Sequence, residues 1–240
     1  MLPTGEKEAG MAGRVQVIAH RGASRAEPEN TIAAFRAARE LGADWVELDV
    51  RLTADEQLAV HHDVALPGGG HIPDTRRADL PASVPMLGEA LAACAGVGVN
   101  IEIKNLPNEA GFDEHARIAE LVAEVLAARD LDQPVLVSSF HPGTLARLRS
   151  IDPSVATALL TFNLPDPIAA VESCVAAGHV ALNPFVGTVD TALVEACHAA
   201  GLQVNVWTVD DPARMAELVA LEVDGIVTNV PDVARAVVDA

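Results

Sequence analysis

The sequence predicts an α/β chain folded as a closed (β/α)8 barrel, and three observations carry that expectation. Short β-branched runs alternate with alanine-rich helical stretches eight times. The β-branched runs end in polar residues before the next helix begins, and no low-complexity tract or linker splits the 240 residues. Eight strand–helix pairs favour a closed parallel barrel over an open sheet, and this length is ordinary for such a barrel as a single domain.

The strands are expected at 15–19, 45–51, 99–103, 135–139, 155–160, 179–182, 203–207 and 224–228, and the helices at 31–41, 86–95, 113–129, 142–150, 166–177, 189–200, 211–221 and 231–239. Asn30 or Thr31 caps the first helix by accepting from an orphan amide, and Gly42 ends it. Ile32, Phe35 and Ala38 recur at helical spacing and face the barrel. Pro142, Pro212 and Pro231 stand at helix starts, where a missing amide costs nothing, and Gly178 and Gly201 stand at helix ends. Residues 1–13 read as a flexible leader before a barrel domain at 14–240. Residues 63–85 hold Pro67, Gly68, Gly69, Gly70, Pro73, Pro81 and Pro85, which forbid a long helix or central strand. They are expected to form a loop insertion over the C-terminal mouth, either shaping substrate access or merely tolerated at the surface.

Half the residues are apolar, enough for one large core, and the formal net charge is −18. Non-specific nucleic-acid binding needs a basic footprint, so no nucleic-acid partner is expected. Cys94, Cys174 and Cys197 have no close pairing and sit among small apolar residues, which fits buried thiols in a reducing compartment. The first 13 residues hold Glu6, Lys7 and Glu8 without an apolar run, and no window approaches the ~18 apolar residues a membrane span needs. No stable membrane insertion and a cytoplasmic location are expected; homo-oligomerisation is left open.

The chemistry gathers at three strand ends. His20-Arg21-Gly22 closes the first strand ahead of Pro28-Glu29-Asn30-Thr31. In Glu47-Leu48-Asp49 the two acids share a face of the second strand. At about 4 Å and an effective dielectric near 20 they repel by roughly 4 kcal/mol, so a positive group must offset them or one must hold a proton. Glu102 ends the next strand and adds a third carboxylate, a donor set that suits a hard divalent cation, Mg²⁺ or Ca²⁺. Lys104 shares a face with Glu102, and both Lys104 and Arg21 can hold phosphate oxygens beside such a cation.

Polar residues 53–57 separate two β-like runs and read as a hairpin. A turn about Ala54 and Asp55 sets residues whose numbers sum to 109 opposite each other, so Glu47 faces His62 while His61 points away. Asp63 follows and can orient an imidazole. His20 and His62 then flank one site, one to take a proton from a nucleophile and the other to give one to a leaving alkoxide. His71, His115, His141, His179 and His198 lack such partners, although His141 also follows a strand. Trp207 ends the seventh strand, either as a wall for a glycerol-sized group or as a core aromatic.

Together these residues resemble the glycerophosphodiester phosphodiesterase family. His20-Arg21-Gly22 with Pro28-Glu29-Asn30-Thr31 is similar to that family's opening signature, and Glu47-Leu48-Asp49-Val50 with Thr53 and His62-Asp63 to its second block. Glu102-Ile103-Lys104 resembles the third, and Trp207-Thr208-Val209 with Asp224-Gly225-Ile226-Val227-Thr228 the closing blocks. The resemblance implies a TIM barrel that hydrolyses glycerophosphodiesters to an alcohol and glycerol 3-phosphate. It implies one divalent cation on Glu47, Asp49 and Glu102, catalysis by His20 and His62, and phosphate contacts from Arg21 and Lys104. Two positions depart from the pattern: Asn229 and His141 stand where that family often has Asp. The short 63–85 connection points to the compact intracellular kind. Whether water or the substrate's 2-hydroxyl attacks, and which histidine is the first base, stays open. A lysophospholipase D-like hydrolase and a non-catalytic phosphodiester-binding barrel are the alternatives; lysophosphatidylcholine against glycerophosphocholine separates the first, and binding without turnover the second.

Overall fold

The computed structural model describes residues 13–128 and 132–240, so residues 1–12 of the expected leader lie outside the described residues. Among the described residues nine strands form in chain order: β1 (Gln16–Ala19), β2 (Trp45–Leu52), β3 (Leu58–Val60), β4 (Gly98–Ile103), β5 (Val135–Ser139), β6 (Ala156–Thr161), β7 (Ala181–Pro184), β8 (Gln203–Val206) and β9 (Gly225–Thr228). Eight of them pair in parallel around a closed ring, with β1 bonded to both β2 and β9. The ninth, β3, pairs antiparallel with β2 and completes the expected hairpin. Among the described residues eight α-helices alternate with the barrel strands: α1 (Ile32–Glu40), α2 (Leu87–Ala93), α3 (Arg117–Ala127), α4 (Pro142–Ile151), α5 (Pro167–Ala177), α6 (Thr191–Ala199), α7 (Pro212–Ala220) and α8 (Pro231–Val238). The predicted (β/α)8 barrel is therefore the fold.

Helices on the outside leave the strands no solvent face, which is why β4 is buried at every position. The largest apolar cluster runs between strands and helices, joining Leu48, Val50, Ile101 and Ile103 to Phe35, Leu91, Leu145, Leu148 and Leu218. Four helices begin with proline, and Asp166, Asp190 and Asp211 cap α5, α6 and α7 by accepting from the Ala169, Leu193 and Ala213 amides. All three cysteines are free and buried, and burial pushes the Cys94 thiol up to about 12.

Among the departures from expectation, two element starts and the hairpin register have local reasons. Helix α3 starts at Arg117 rather than 113, because the Asp113 carboxylate accepts from the His115 and Arg117 amides and Ala116 turns left-handed at φ 52°. Strand β7 starts at Ala181 rather than 179, since the His179 amide is still bonded to the Cys174 carbonyl of α5. The hairpin register is off by one. Val50 faces Val60 and Leu52 faces Leu58, so paired numbers sum to 110, not 109. The loop has three residues rather than two: the Thr53 amide bonds the Gln57 carbonyl, and Glu56 is left-handed at φ 56°. Glu47 therefore does not pair with His62.

Residues 63–85 form two short 3-10 turns, Ile72–Asp74 and Arg77–Asp79, over a small core of Ala59, Leu66 and Ile72. The Val60 amide donates to the Pro85 carbonyl, so this segment supports the outer edge of β3.

Gly22 has φ 80°, and a Cβ there would stand 2.6 Å from the Ala34 carbonyl carbon. Only glycine lets α1 pack this closely over the turn that carries His20 and Arg21. Gly22→Ala should cost at least about 1–3 kcal/mol, the usual strain of a left-handed non-glycine residue. Thermal unfolding checks this, and an unchanged midpoint would contradict it.

Candidate active site

Register assembles the acids. Asp49 of β2 is level with Glu102 of β4, and alternation puts Glu47 on the same face as Asp49. One ligand oxygen from each of Glu47, Asp49 and Glu102 lies within 4.8 Å of the others, and all three residues are buried. Around them, Lys104 Nζ donates to Glu102 Oε1 at 2.8 Å and stands 3.5 Å from Asp49 Oδ1. The Arg21 backbone amide donates to Glu47 Oε2 at 2.9 Å. The Arg21 guanidinium pairs with Glu29 at 2.9 Å and lies 3.4 Å from Asp49 Oδ2. Asn30 Nδ2 donates to Asp49 Oδ2 at 2.8 Å, while its Oδ1 accepts from the Asp49 amide.

These partners leave Glu47 Oε1 and Asp49 Oδ1 buried without a hydrogen-bond donor. Such orphans are costly, and a bound ion is one of the few things that offsets them. Burial, then the Asp49 and Glu102 charges, push the Glu47 carboxyl well above its usual range. Burial also opposes charge on Asp49, but Lys104, His62 and Arg21 outweigh it and hold its carboxyl below the usual value. Burial works against the Lys104 ammonium too, and Glu102 and Asp49 overcome it, so Lys104 stays charged. The donor set and the orphaned oxygens fit a hard divalent cation.

Both predicted imidazoles reach the same cavity of about 250 Å³, which Arg21, Glu47, Glu102 and Lys104 also line. His20 Nδ1 meets Asn229 Oδ1 at 2.8 Å, and His62 Nδ1 meets Asp63 Oδ1 at 2.7 Å. Each ring is thus anchored through Nδ1, and no hydrogen bond to either Nε2 forms among the described residues. Burial lowers the pKa of both. Trp207 and Phe140 also line this cavity, with Trp207 Nε1 donating to the Asn183 carbonyl at 2.8 Å. All eight predicted site residues converge here: seven line the cavity, and Asp49, with a side chain 1% exposed, lies too deep to do so.

A sequence profile described as the glycerophosphoryl diester phosphodiesterase family matches residues 20–233, starting at His20 itself. The chain belongs to that family. It is accordingly a phosphoric diester hydrolase. It is 32% identical over 237 residues to the glycerophosphodiester phosphodiesterase of Caldanaerobacter subterraneus subsp. tengcongensis, covering 90% of this chain and 94% of that protein. It is 32% identical over 239 residues to that of Bacillus altitudinis, covering 90% and 95%. A phosphodiesterase from Oleispira antarctica, solved with its product sn-glycerol-3-phosphate, is similar at a TM-score of 0.87 and 27% identity, covering 95% of this chain and 98% of that one.

Other features of the site leave little trace in the sequence. Asn30 was one of two candidate caps for α1; Thr31 caps it, and Asn30, 3% exposed, serves Asp49 instead. Two capping residues competing for one position were the available signal. Phe140, Phe162, Phe185 and Trp207 each follow the last residue of β5, β6, β7 and β8, although the chain has only five Phe and two Trp. That repetition at four successive strand ends was readable, but only Trp207 stood out.

Arg51 gave no signal at all. It lies on β2 two residues past Asp49 and is 4% exposed. Its Nε donates to the His62 carbonyl at 2.6 Å, and its Nη1 pairs with Glu109 at 2.7 Å. With the hairpin register slipped, this clamp draws His62 in after β3 has ended. Arg51→Met should lower stability by about 1.5–3 kcal/mol, the worth of a hydrogen bond to a charged group, and reduce turnover. Urea unfolding and an activity assay check it; normal turnover would show that His62 holds its place without the clamp.

The remaining histidines lie elsewhere. His141 Nδ1 meets Thr144 Oγ1 at 3.1 Å, and His61 Nδ1 meets the Asp63 carbonyl at 2.8 Å; neither lines the cavity. A larger cavity of about 1020 Å³ opens at the opposite end of the barrel, among strand beginnings such as Gln16, Trp45, Gly98 and Gln203. It includes none of the three clustered acids, so the smaller cavity is the chemical one.

Proposed function

We propose that the enzyme hydrolyses glycerophosphodiesters to an alcohol and glycerol 3-phosphate, with His20 and His62 moving the protons. Glu47, Asp49 and Glu102 would hold one divalent cation, Mg²⁺ or Ca²⁺. The observation that carries this reading is the pair of anchored imidazoles beside the acid trio: each has its Nδ1 occupied and its Nε2 free in one cavity. When bound, the cation supplies a Lewis acid for charge that builds on the phosphate. Arg21 and Lys104 donate to the non-bridging oxygens and orient the diester. One Nε2 takes the nucleophile's proton, and the other delivers a proton to the departing alkoxide. The product complex of the Oleispira antarctica relative supports the glycerol phosphate half of the assignment.

The nucleophile is water or the substrate's own glycerol 2-hydroxyl. A diester lacking that hydroxyl decides: undiminished turnover assigns water, and loss of turnover assigns internal attack through a cyclic phosphate. The overall reading is tested by turnover of glycerophosphocholine after chelation and re-addition of Mg²⁺ or Ca²⁺. Binding without turnover under every condition would refute it in favour of a non-catalytic barrel.

One observation favours a second substrate class. Phe162 is 56% exposed and stacks on Phe185 at 4.8 Å, and Phe185 and Phe140 both meet Trp207, at 5.5 and 5.4 Å. The net charge of −18 disfavours attraction to an anionic membrane, yet this aromatic wall gives apolar substituents a place to pack. No helix among the described residues is long and apolar enough to cross a membrane. Faster turnover of lysophosphatidylcholine than of glycerophosphocholine would establish the lipid reading.

A further inference from the structure

The geometry points to Asp210 as a positioning residue: through the Asn229 side-chain amide it holds His20 as the tautomer protonated on Nδ1, with the Nε2 lone pair facing the substrate. Asp210 follows β8, Asn229 follows β9 and His20 follows β1, so three adjacent staves of the barrel supply the chain of contacts. Asn229 Nδ2 donates to Asp210 Oδ2 at 2.7 Å, and the Asn229 backbone amide donates to Asp210 Oδ1 at 2.8 Å. Thr228 Oγ1 donates to the same Oδ1 at 3.1 Å, and the Arg25 guanidinium stands 3.8 Å from Oδ2. Asp210 is therefore an ionised acceptor; burial opposes its charge, but the Asn229 hydrogen bonds outweigh it and hold the carboxyl below its usual range.

An amide can be flipped, and its orientation must follow from its neighbours. A carboxylate only accepts, so the amide edge facing Asp210 must be the NH2. The other edge is then Oδ1, which accepts from Ser24 Oγ at 2.8 Å and faces His20 Nδ1 at 2.8 Å. With an acceptor there, His20 must carry its proton on Nδ1. Flipping Asn229 would set its oxygen against the carboxylate at 2.7 Å, and nothing there could donate. Asp210 thus selects the tautomer without touching the imidazole. His62 needs no such relay, since its carboxylate partner Asp63 touches the ring directly. The inference rests on the proposed role of His20 in proton transfer.

Four variants test it. Asp210→Ala frees the amide, and kcat should fall about 10–100-fold, the usual cost of losing an orienting partner behind a catalytic imidazole, with KM within about twofold. Asp210→Asn, close in size, should show the same split and serves if the alanine variant fails to fold. Asn229→Asp alone sets two carboxylates side by side and should also impair kcat. The double variant Asp210→Asn with Asn229→Asp rebuilds every bond. The new carboxylate accepts from His20 and Ser24, and the new amide donates to it while accepting from Thr228 and the 229 backbone; kcat should recover most of its loss. Nitrogen-15 chemical shifts of His20 should show Nδ1 protonation in the parent and the double variant, and mixed tautomers in Asp210→Ala. Unchanged kcat and tautomer in Asp210→Ala, or a double variant no better than the worse single one, would overturn the assignment. If His20→Ala itself keeps full turnover, the proton-transfer reading fails, while the nitrogen shifts still decide the relay.

Discussion

His62→Ala should lower turnover by about 10²–10⁴-fold, the usual contribution of a positioned acid or base, while leaving the fold and cation affinity intact. The reason for a large loss is positional. His62 is anchored through Nδ1 to Asp63, its carbonyl is clamped by Arg51, and its Nε2 is left toward the cavity. Fold and cation binding are spared because His62 is half-exposed and is not one of the three clustered acids. Burial depresses the pKa of both site imidazoles, so the acid limb of kcat/KM, which reports protonation of the histidine acting as base, should lie below the usual 6.5. Steady-state assays with a cation-dependent melting shift as control check this. Normal turnover in a folded His62→Ala protein would remove His62 from the mechanism.

The second large effect concerns Glu47. Without a cation, Glu47→Gln should stabilise the protein at neutral pH; with a cation present, the same change should abolish both the stabilisation and the turnover. In the unfolded chain Glu47 ionises near its usual 4.5, and in the folded protein its carboxyl titrates well above that. Above pH 4.5 the folded state binds the extra proton, so stability falls as pH rises through the folded-state pKa. Glutamine removes that penalty and still offers an oxygen to the Arg21 amide. A bound cation reverses the balance, adding about 2.7 kcal/mol at a concentration 100 times its dissociation constant. Melting curves in chelator, Mg²⁺ and Ca²⁺ across pH 5–8 measure both halves. Full turnover in chelator, with no cation-dependent melting shift in the parent, would sink the metal assignment.

Much of the site was readable because its residues are local to strand ends. Alternation alone put Glu47 beside Asp49 and Lys104 beside Glu102, and both inferences hold in the structure. His62 was found for a partly wrong reason. It reaches the cavity, but through Arg51 after the hairpin ladder has ended rather than by facing Glu47. Turn type set the register, and a left-handed Glu56 in place of glycine gave no warning of a three-residue loop.

What the sequence determined by itself was the barrel, the three acids, the two histidines and the basic pair Arg21 and Lys104, because strand periodicity and residue chemistry are written within a few positions of each other. What only the tertiary structure decided was who holds these groups in place. Arg51 grips His62 from 11 positions away, Asn30 grips Asp49 from 19, and Asn229 grips His20 from 209. Such contacts depend on which strands become neighbours when the ring closes. Parallel staves bring distant segments into register through backbone hydrogen bonds, and those bonds are indifferent to the side chains they place together.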